Sequence, residues 1–351
     1  MFSSISYLRR YRDPHGALGM LGPACRRVGT VQLVRVPMHP VLAGDATPPG
    51  RISSLLGKLF GHLRLIPRAY APQAPGTRAL FVREFLTTPL FLVSPFIWFQ
   101  RRRMWFMCHH NVGQAAQRGS HRFMLRAMYW AGFRFVVYET AESWAPIAER
   151  PDPQRVIAMP TPIPDIVRRT PLPLDPERRV VVGFIGNFRA ERSPLWALEA
   201  IEQARTEGRL PPAMDLLVGT TDAQFLARWK DRARVVDTTS RCDYLAALEA
   251  CDVVVLPYDE PSYSYRTSGV LAESAALGCM VVAPDLPALR DQVKLPRPIG
   301  VCYKNRDELV DCVRRAVELA VRPERADASR AHREERSGAA VDRAIARMGA
   351  S

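Results

Sequence analysis

From residue 178 onward, short apolar runs bounded by turn residues alternate with longer amphipathic stretches. "RVVVGFIG" reads as a buried strand, "SPLWALEAIEQARTEG" as a helix with a glycine stop, and "AMDLLVG" as a strand. The short apolar pair Val235 and Val236, the helix "DYLAALEA", the strand "DVVVLPY", a helix after Gly269 and the strand "MVVAP" continue the pattern, which "PIGVCY" and "RDELVDCVRRAVELA" close. Strands that are apolar without interruption are covered on both faces, which implies a parallel sheet. A Rossmann-like domain is expected over 178–322, followed by a helical tail over 323–351.

Upstream, "TVQLVRV", "RMWFMC" and "FRFVVYE" read as core strands separated by helical stretches, which predicts a second Rossmann-like domain over 1–150. Its opening, "MFSSISYLRRYRDPHGALG", offers only a weak first strand. Between the halves lies "PDPQRVIAMPTPIPDIVRRTPLPLDPERR", whose proline density is incompatible with regular helix and predicts a semi-rigid linker over 151–177. The expected fold class is therefore α/β with two Rossmann-like domains.

Composition agrees: 351 residues with 47% hydrophobic content suffice for two packed domains. The seven cysteines are scattered singly and odd in number, which favours reduced thiols in a cytoplasm. No signal-peptide pattern opens the chain. The longest apolar run, Phe85 to Phe99, holds Pro89 and Pro95 and falls short of the roughly 20 residues that span a bilayer.

Charge changes the picture once it is located. Residues 1–145 hold 19 Lys or Arg against 5 Asp or Glu, whereas 146–351 hold 30 of each, so the whole net charge of +14 belongs to the first part. Such asymmetry points to an anionic partner, either nucleic acid or the phosphate-bearing face of a membrane. The basic part lacks a recognisable nucleic-acid reader motif, which leaves the membrane. In "RISSLLGKLFGHLRLIPRAY", Ile52, Leu55, Leu56, Leu59 and Leu63 fall at helical spacing with Lys58 and Arg64 among the polar positions. Basic amphipathic helices of this type lie on membrane surfaces, although the same stripe suits a core-facing helix. Aromatic residues beside Arg101, Arg102 and Arg103 in "FIWFQRRRMW" add to the membrane reading.

The candidate chemistry lies in "SYRTSGVLAESAALGCMVV", residues 264–282. Ligands of open parallel sheets bind at the carboxyl ends of strands, near helix N-termini. After the strand "DVVVLP", Ser268 is placed to cap the next helix, and Gly269 lets a ligand approach its backbone. Arg266 adds a charged donor on the loop formed with Tyr265 and Thr267, and Glu273 sits one turn into the helix. A second candidate is "GFIGNFRAERSP", where Gly183 and Gly186 precede Arg189 and Arg192, a pair suited to a diphosphate. A plain helix cap and a solvated arginine pair are the ordinary alternatives for each site alone.

Their joint order along the chain resembles the nucleotide-sugar-binding domain of the GT-B glycosyltransferases, specifically the retaining enzymes of family 4, over roughly residues 178–320. The resemblance implies two Rossmann-like domains facing across a cleft, with Arg189 and Arg192 as phosphate binders and Glu273 as the ribose-binding acid. The family's earlier glutamate position holds Tyr265, and Glu260 or Asp259 is available in its place. In the first half, "RMWFMCHHNVG" is similar to the strand that ends in a histidine near the reacting centre. His110, followed by Asn111, matches that position better than His109. Glu139 and Thr140 follow another core strand and are expected to line the same cleft.

The implied activity is transfer of a sugar from a UDP- or GDP-linked donor to a lipid-linked or other glycan acceptor, with retention, in surface polysaccharide biosynthesis. The implied location is cytoplasmic, peripheral on the inner face of the plasma membrane. Arg189, Arg192 and the Ser268 and Gly269 amides would stabilise the departing diphosphate. With no Asp-x-Asp triplet in the sequence, neither a metal nor another cofactor is expected. A nucleotide-sugar epimerase of the same architecture, or a degenerate scaffold in a polysaccharide assembly complex, are the competing readings.

Overall fold

The computed structural model describes residues 27–28, 31–34, 59–71, 76–82, 85–163, 178–188 and 194–349. The chain divides into two compact units, Met1–Pro160 with Gly338–Ser351, and Thr161–Ser337.

The first unit holds six strands in the order β1 (Arg27–Val28), β2 (Val31–Val34), β3 (Ala79–Val82), β4 (Met104–Met107), β5 (Arg134–Tyr138) and β6 (Val156–Met159). β1 is antiparallel to β2, and every later pair is parallel, with Phe81 opposite Trp105 and Phe106 opposite Phe135. The three apolar runs named above contain β2, β4 and β5. The sequence reading missed β3, and it missed β6 because that strand lies inside the proline-rich span assigned to the linker. Pro153 and Pro160 flank β6 without entering it, and an edge strand tolerates prolines at its ends. The weak strand expected at residues 1–19 lies outside the described residues.

Helices α1 (Leu65–Tyr70), α2 (Thr87–Val93), α3 (Asn111–Gln117) and α4 (Gly119–Trp130), with a 3-10 segment at Ser94–Arg103, connect these strands. Where strand order advances in one direction, right-handed crossovers put the connections on one face. Phe85, Phe106, Phe133 and Phe135 cluster beneath them, with ring centroids 5.8 to 6.3 Å apart. The other face is covered from the far end of the chain. Phe81, Trp105, Met107 and Val136, on alternate strand positions, pack against Val341, Ala344, Ile345 and Met348. Trp105 Nε1 also donates to the Met348 carbonyl at 3.2 Å.

The second unit is a parallel sheet in the order β12-β11-β10-β7-β8-β9. Its strands are β7 (Val180–Ile185), β8 (Met214–Thr220), β9 (Arg234–Asp237), β10 (Val253–Val255), β11 (Met280–Pro284) and β12 (Gly300–Tyr303). The chain starts at the centre with β7, runs outward through β9, then returns to the other side of β7 as β10. This reversal makes a topological switch point between β7 and β10. Helices α5 (Leu195–Thr206), α6 (Ala223–Trp229), α7 (Arg241–Glu249), α8 (Glu260–Tyr263), α9 (Gly269–Ala276), α10 (Pro287–Lys294) and α11 (Leu309–Ala320) cover both faces. Val182, Phe184 and Val255 point into one core with Ile201 and Val313; Ile185, Val254 and Val281 point into the other with Leu271 and Leu289. Burial on two sides is the reason these strands read as unbroken apolar runs.

The tail expected over 323–351 is helical but divided. Helix α12 (Glu324–Arg336) packs on α9, where Ser329 Oγ donates to the Ala275 and Ala276 carbonyls at 2.9 and 3.2 Å. Arg325 donates to Asp252 at 2.9 Å from the same helix. Helix α13 (Gly338–Met348) belongs to the first unit and is the element that covers its sheet.

Candidate functional site

The switch point of the second unit carries the glycine turn and the helix mouth that the sequence singled out. Gly186 ends β7 with φ +135°, a conformation that favours glycine, and its N–H donates to the Gly219 carbonyl at 2.8 Å. A Cβ on Gly186 would stand 3.7 Å from Val270 Cγ2, so the turn lies against the first turn of α9. Gly186, Asn187, Tyr258 and Val270 line a shallow pocket, open to solvent, together with the ends of β7 and β10. Gly183 does not belong to this turn. It lies inside β7, where a Cβ would fall 2.2 Å from Cys251 Sγ, so close packing requires the glycine there.

The loop ahead of α9 is held by buried polar contacts. Ser268 is the N-cap: its Oγ accepts from the Leu271 N–H at 3.1 Å and hydrogen-bonds the Tyr258 hydroxyl at 2.9 Å. The Ser268 N–H donates to Gln292 Oε1 at 2.8 Å, and Gln292 Nε2 donates to the Ser268 carbonyl at 3.3 Å and Thr161 Oγ1 at 3.4 Å. This corrects one expectation, because the Ser268 amide that was to face a diphosphate is engaged by Gln292. The amides of Gly269 and Val270, in the first turn, are the ones that helix geometry leaves without an intrahelical acceptor. Anions are favoured at such a mouth.

Tyr265, Arg266 and Thr267 are partly exposed on the approach to this cap. The Arg266 guanidinium lies 5.0 Å over the Tyr263 ring, which stacks on Tyr258 at 4.0 Å. Asp259 and Glu260 are exposed at the start of α8, where Asp259 Oδ2 accepts from Ser262 at 3.2 Å. Arg189 and Arg192 lie outside the described residues.

Glu273 is 2% exposed, and Arg241 grips both of its oxygens at 2.7 and 3.2 Å while the Tyr244 hydroxyl donates at 2.7 Å. The Arg241 guanidinium also lies 5.0 Å over the Tyr244 ring. Sequence reasoning missed Arg241, Tyr244 and Gln292. Arg241 and Tyr244 come from the start of α7, about 30 positions from their partner, and no local pattern links them. Among the described residues, no group of three or more His, Cys, Asp or Glu is placed to hold a metal.

In the first unit, His109 and His110 follow β4, and Glu139 and Thr140 follow the neighbouring β5. His109 Nδ1 and the Tyr138 hydroxyl are 3.2 Å apart. His110 is half-buried at the N-cap position of α3. Asn111 is structural: its Nδ2 donates to the Phe85 carbonyl at 3.2 Å and to Thr87 Oγ1 at 3.1 Å. Glu139 adopts φ +63°, a left-handed conformation rare for a residue with a Cβ, and its N–H donates to the Met159 carbonyl at 2.9 Å. His109, His110, Tyr138, Glu139 and Thr140 thus gather at the carboxyl ends of two adjacent parallel strands. Arg101, Arg102 and Arg103 precede β4 and lie at its other end, so the sheet separates them from His110 and Glu139. Lys58 lies outside the described residues. In the described part of the basic stretch, His62, Leu65 and Ala69 are buried, and His62 Nε2 accepts from the Leu86 N–H at 2.9 Å. Among the described residues, no helix is long and apolar enough to cross a membrane.

Fold and helix mouth define the second unit as a doubly wound α/β domain, a fold whose ligands generally bind at the switch point. Residues 179–318 match the model of the family described as glycosyl transferases group 1, and the second unit is a domain of that family. The second unit thus carries a glycosyltransferase group 1 domain, and the two-sheet fold of the chain is that of the GT-B class. A sucrose-phosphate synthase from Thermosynechococcus elongatus has a similar structure at 17% identity and TM-score 0.58, covering 98% of this chain and 92% of that one. A UDP-forming trehalose-phosphate synthase from Burkholderia xenovorans is similar at 12% identity and TM-score 0.59, over 87% and 80% of the two chains. Anabaena HepE, solved in complex with UDP-glucose, is similar at 13% identity and TM-score 0.53, over 82% and 81%. No curated protein gives a significant sequence match.

Proposed function

We propose that this glycosyltransferase moves a sugar from a UDP- or GDP-linked donor, with retention, to a lipid-linked or other glycan acceptor at the cytoplasmic face of the plasma membrane, for surface polysaccharide synthesis. The observation that carries the donor half is the Gly186 turn lying against the mouth of α9 at the switch point of a group 1 domain. The complex of HepE with UDP-glucose, on a similar fold, supports a sugar nucleotide as the ligand. The diphosphate sits at the Gly269 and Val270 amides with Arg189 and Arg192 as counter-charges, where negative charge grows as the glycosyl bond breaks. Glu273, oriented by Arg241, meets the ribose. Arg266 and Thr267 flank the donor, and Tyr265 borders the sugar. His110, with Glu139 nearby on the same strand ends, hydrogen-bonds the transferred sugar or the acceptor hydroxyl. No cofactor is required in this scheme.

Radiolabelled UDP- and GDP-sugars incubated with the purified chain and a membrane lipid extract test the proposal. Label is expected to enter lipid, and Arg189→Ala is expected to lower transfer by at least tenfold. Retained transfer in that variant contradicts the diphosphate role. Conversion of donor without acceptor identifies an epimerase instead, and donor binding without turnover identifies a scaffold.

A further inference from the structure

We propose that the first unit docks on anionic lipid bilayers through an aromatic face formed by the 3-10 segment Ser94–Arg103 and helix α4. The 3-10 segment repeats every three residues, so residues three apart lie in one column. Phe96, Phe99 and Arg102 form such a column and all three are exposed, Phe99 at 84%, whereas Ser94 and Ile97 of the next column are buried. On α4, Phe123, Arg126 and Trp130 share one face at helical spacing, and both aromatic residues are 66% exposed.

Both elements pack on α2. Phe91 of α2 meets Phe123 at 6.3 Å between ring centroids. Arg101 lies 4.1 Å over the Trp98 ring, and its Nε is 3.3 Å from where a Cβ on Gly132, in the turn that follows α4, would stand. Exposed aromatic residues in a connected group are unusual on a soluble surface and mark a site of association.

Charge selects the occupant. Between Leu59 and Trp130 the sequence holds ten arginines and a single acidic residue, Glu84. A face of phenyl and indole groups interleaved with guanidinium groups complements a leaflet whose headgroups are anionic and whose interface accepts aromatic rings. The docking face deepens the membrane location proposed above, yet it depends on neither donor nor acceptor.

The test is sedimentation of the purified full chain with vesicles of phosphatidylcholine alone or mixed with phosphatidylglycerol, beside donor binding measured by calorimetry. Wild-type protein is expected to sediment with the anionic vesicles and to be released by raised salt. A Phe96→Ser/Phe99→Ser variant and a Phe123→Ser/Trp130→Ser variant are each expected to bind at least tenfold more weakly, with melting temperature and donor affinity unchanged. Wild-type affinity in both variants, or no binding of the wild type to anionic vesicles, overturns the proposal. So does a salt-resistant dimer that the same variants dissociate, since the occupant is then a second copy of the chain. Lost donor binding with retained vesicle binding counts against the transferase reading alone.

Discussion

Glu273 carries a buried charge that is tolerated because Arg241 and Tyr244 meet it with three hydrogen bonds. The same clamp fixes where the carboxylate points, which makes Arg241 a positioning residue for the proposed donor. Removing one partner of a fully buried pair costs about 3–5 kcal/mol; with a quarter of the Arg241 side chain exposed, Arg241→Ala is expected to cost about 2 kcal/mol in urea unfolding. Its donor KM is expected to rise about tenfold with little change in kcat, a loss of about 1.4 kcal/mol of binding. Unchanged KM with lowered stability restricts Arg241 to a structural role.

At the scale of elements, α12 sets the environment of α9. His332 is fully buried on α12, and burial, with Arg336 and Arg333 on the same helix, holds its pKa well below the ordinary value, against a smaller opposing contribution from the Ala272 backbone of α9. A depressed folded-state pKa means that the unfolded chain binds the extra proton first. Stability from this group is full above the unfolded value, about 6.5, and declines as pH falls toward the folded one. Thermal melts from pH 7.5 to 5 are expected to show a falling midpoint, and His332→Gln a shallower fall. Identical slopes for the two proteins remove His332 from the account.

Across the whole molecule, the chain crosses between units near Pro160 and again near Ser337, so the last helix completes the first sheet. Exposing Val341, Ala344, Ile345 and Met348 forfeits about 5 kcal/mol or more, comparable with the entire stability of many domains. A fragment of residues 1–160 is therefore expected to aggregate, and added 338–351 peptide to restore its solubility. A fragment of residues 161–337 holds its sheet and both cores, and is expected to unfold cooperatively and to retain sugar-nucleotide affinity by calorimetry. A soluble, folded 1–160 fragment without the peptide contradicts the assignment of α13.

The second sheet was readable from its linear pattern because its central strands are largely buried on both faces and helices α6, α7 and α9 open on the capping side chains of Asp222, Ser240 and Ser268. Gly186, Ser268 and Gly269 were readable for a related reason: a turn and a helix mouth are built by neighbours in sequence. Contacts between distant positions left no such pattern. Only the folded chain brought Arg241 to Glu273, Gln292 to Ser268, Cys251 to Gly183, and α13 to the face of β3 and β4. The three-residue column of Phe96, Phe99 and Arg102 was hidden in its run because amphipathicity is sought at 3.6 residues per turn, and a 3-10 repeat does not share that period. Local geometry is thus encoded by local residues, whereas burial, charge pairing and exposed faces depend on which surfaces meet after the chain has folded.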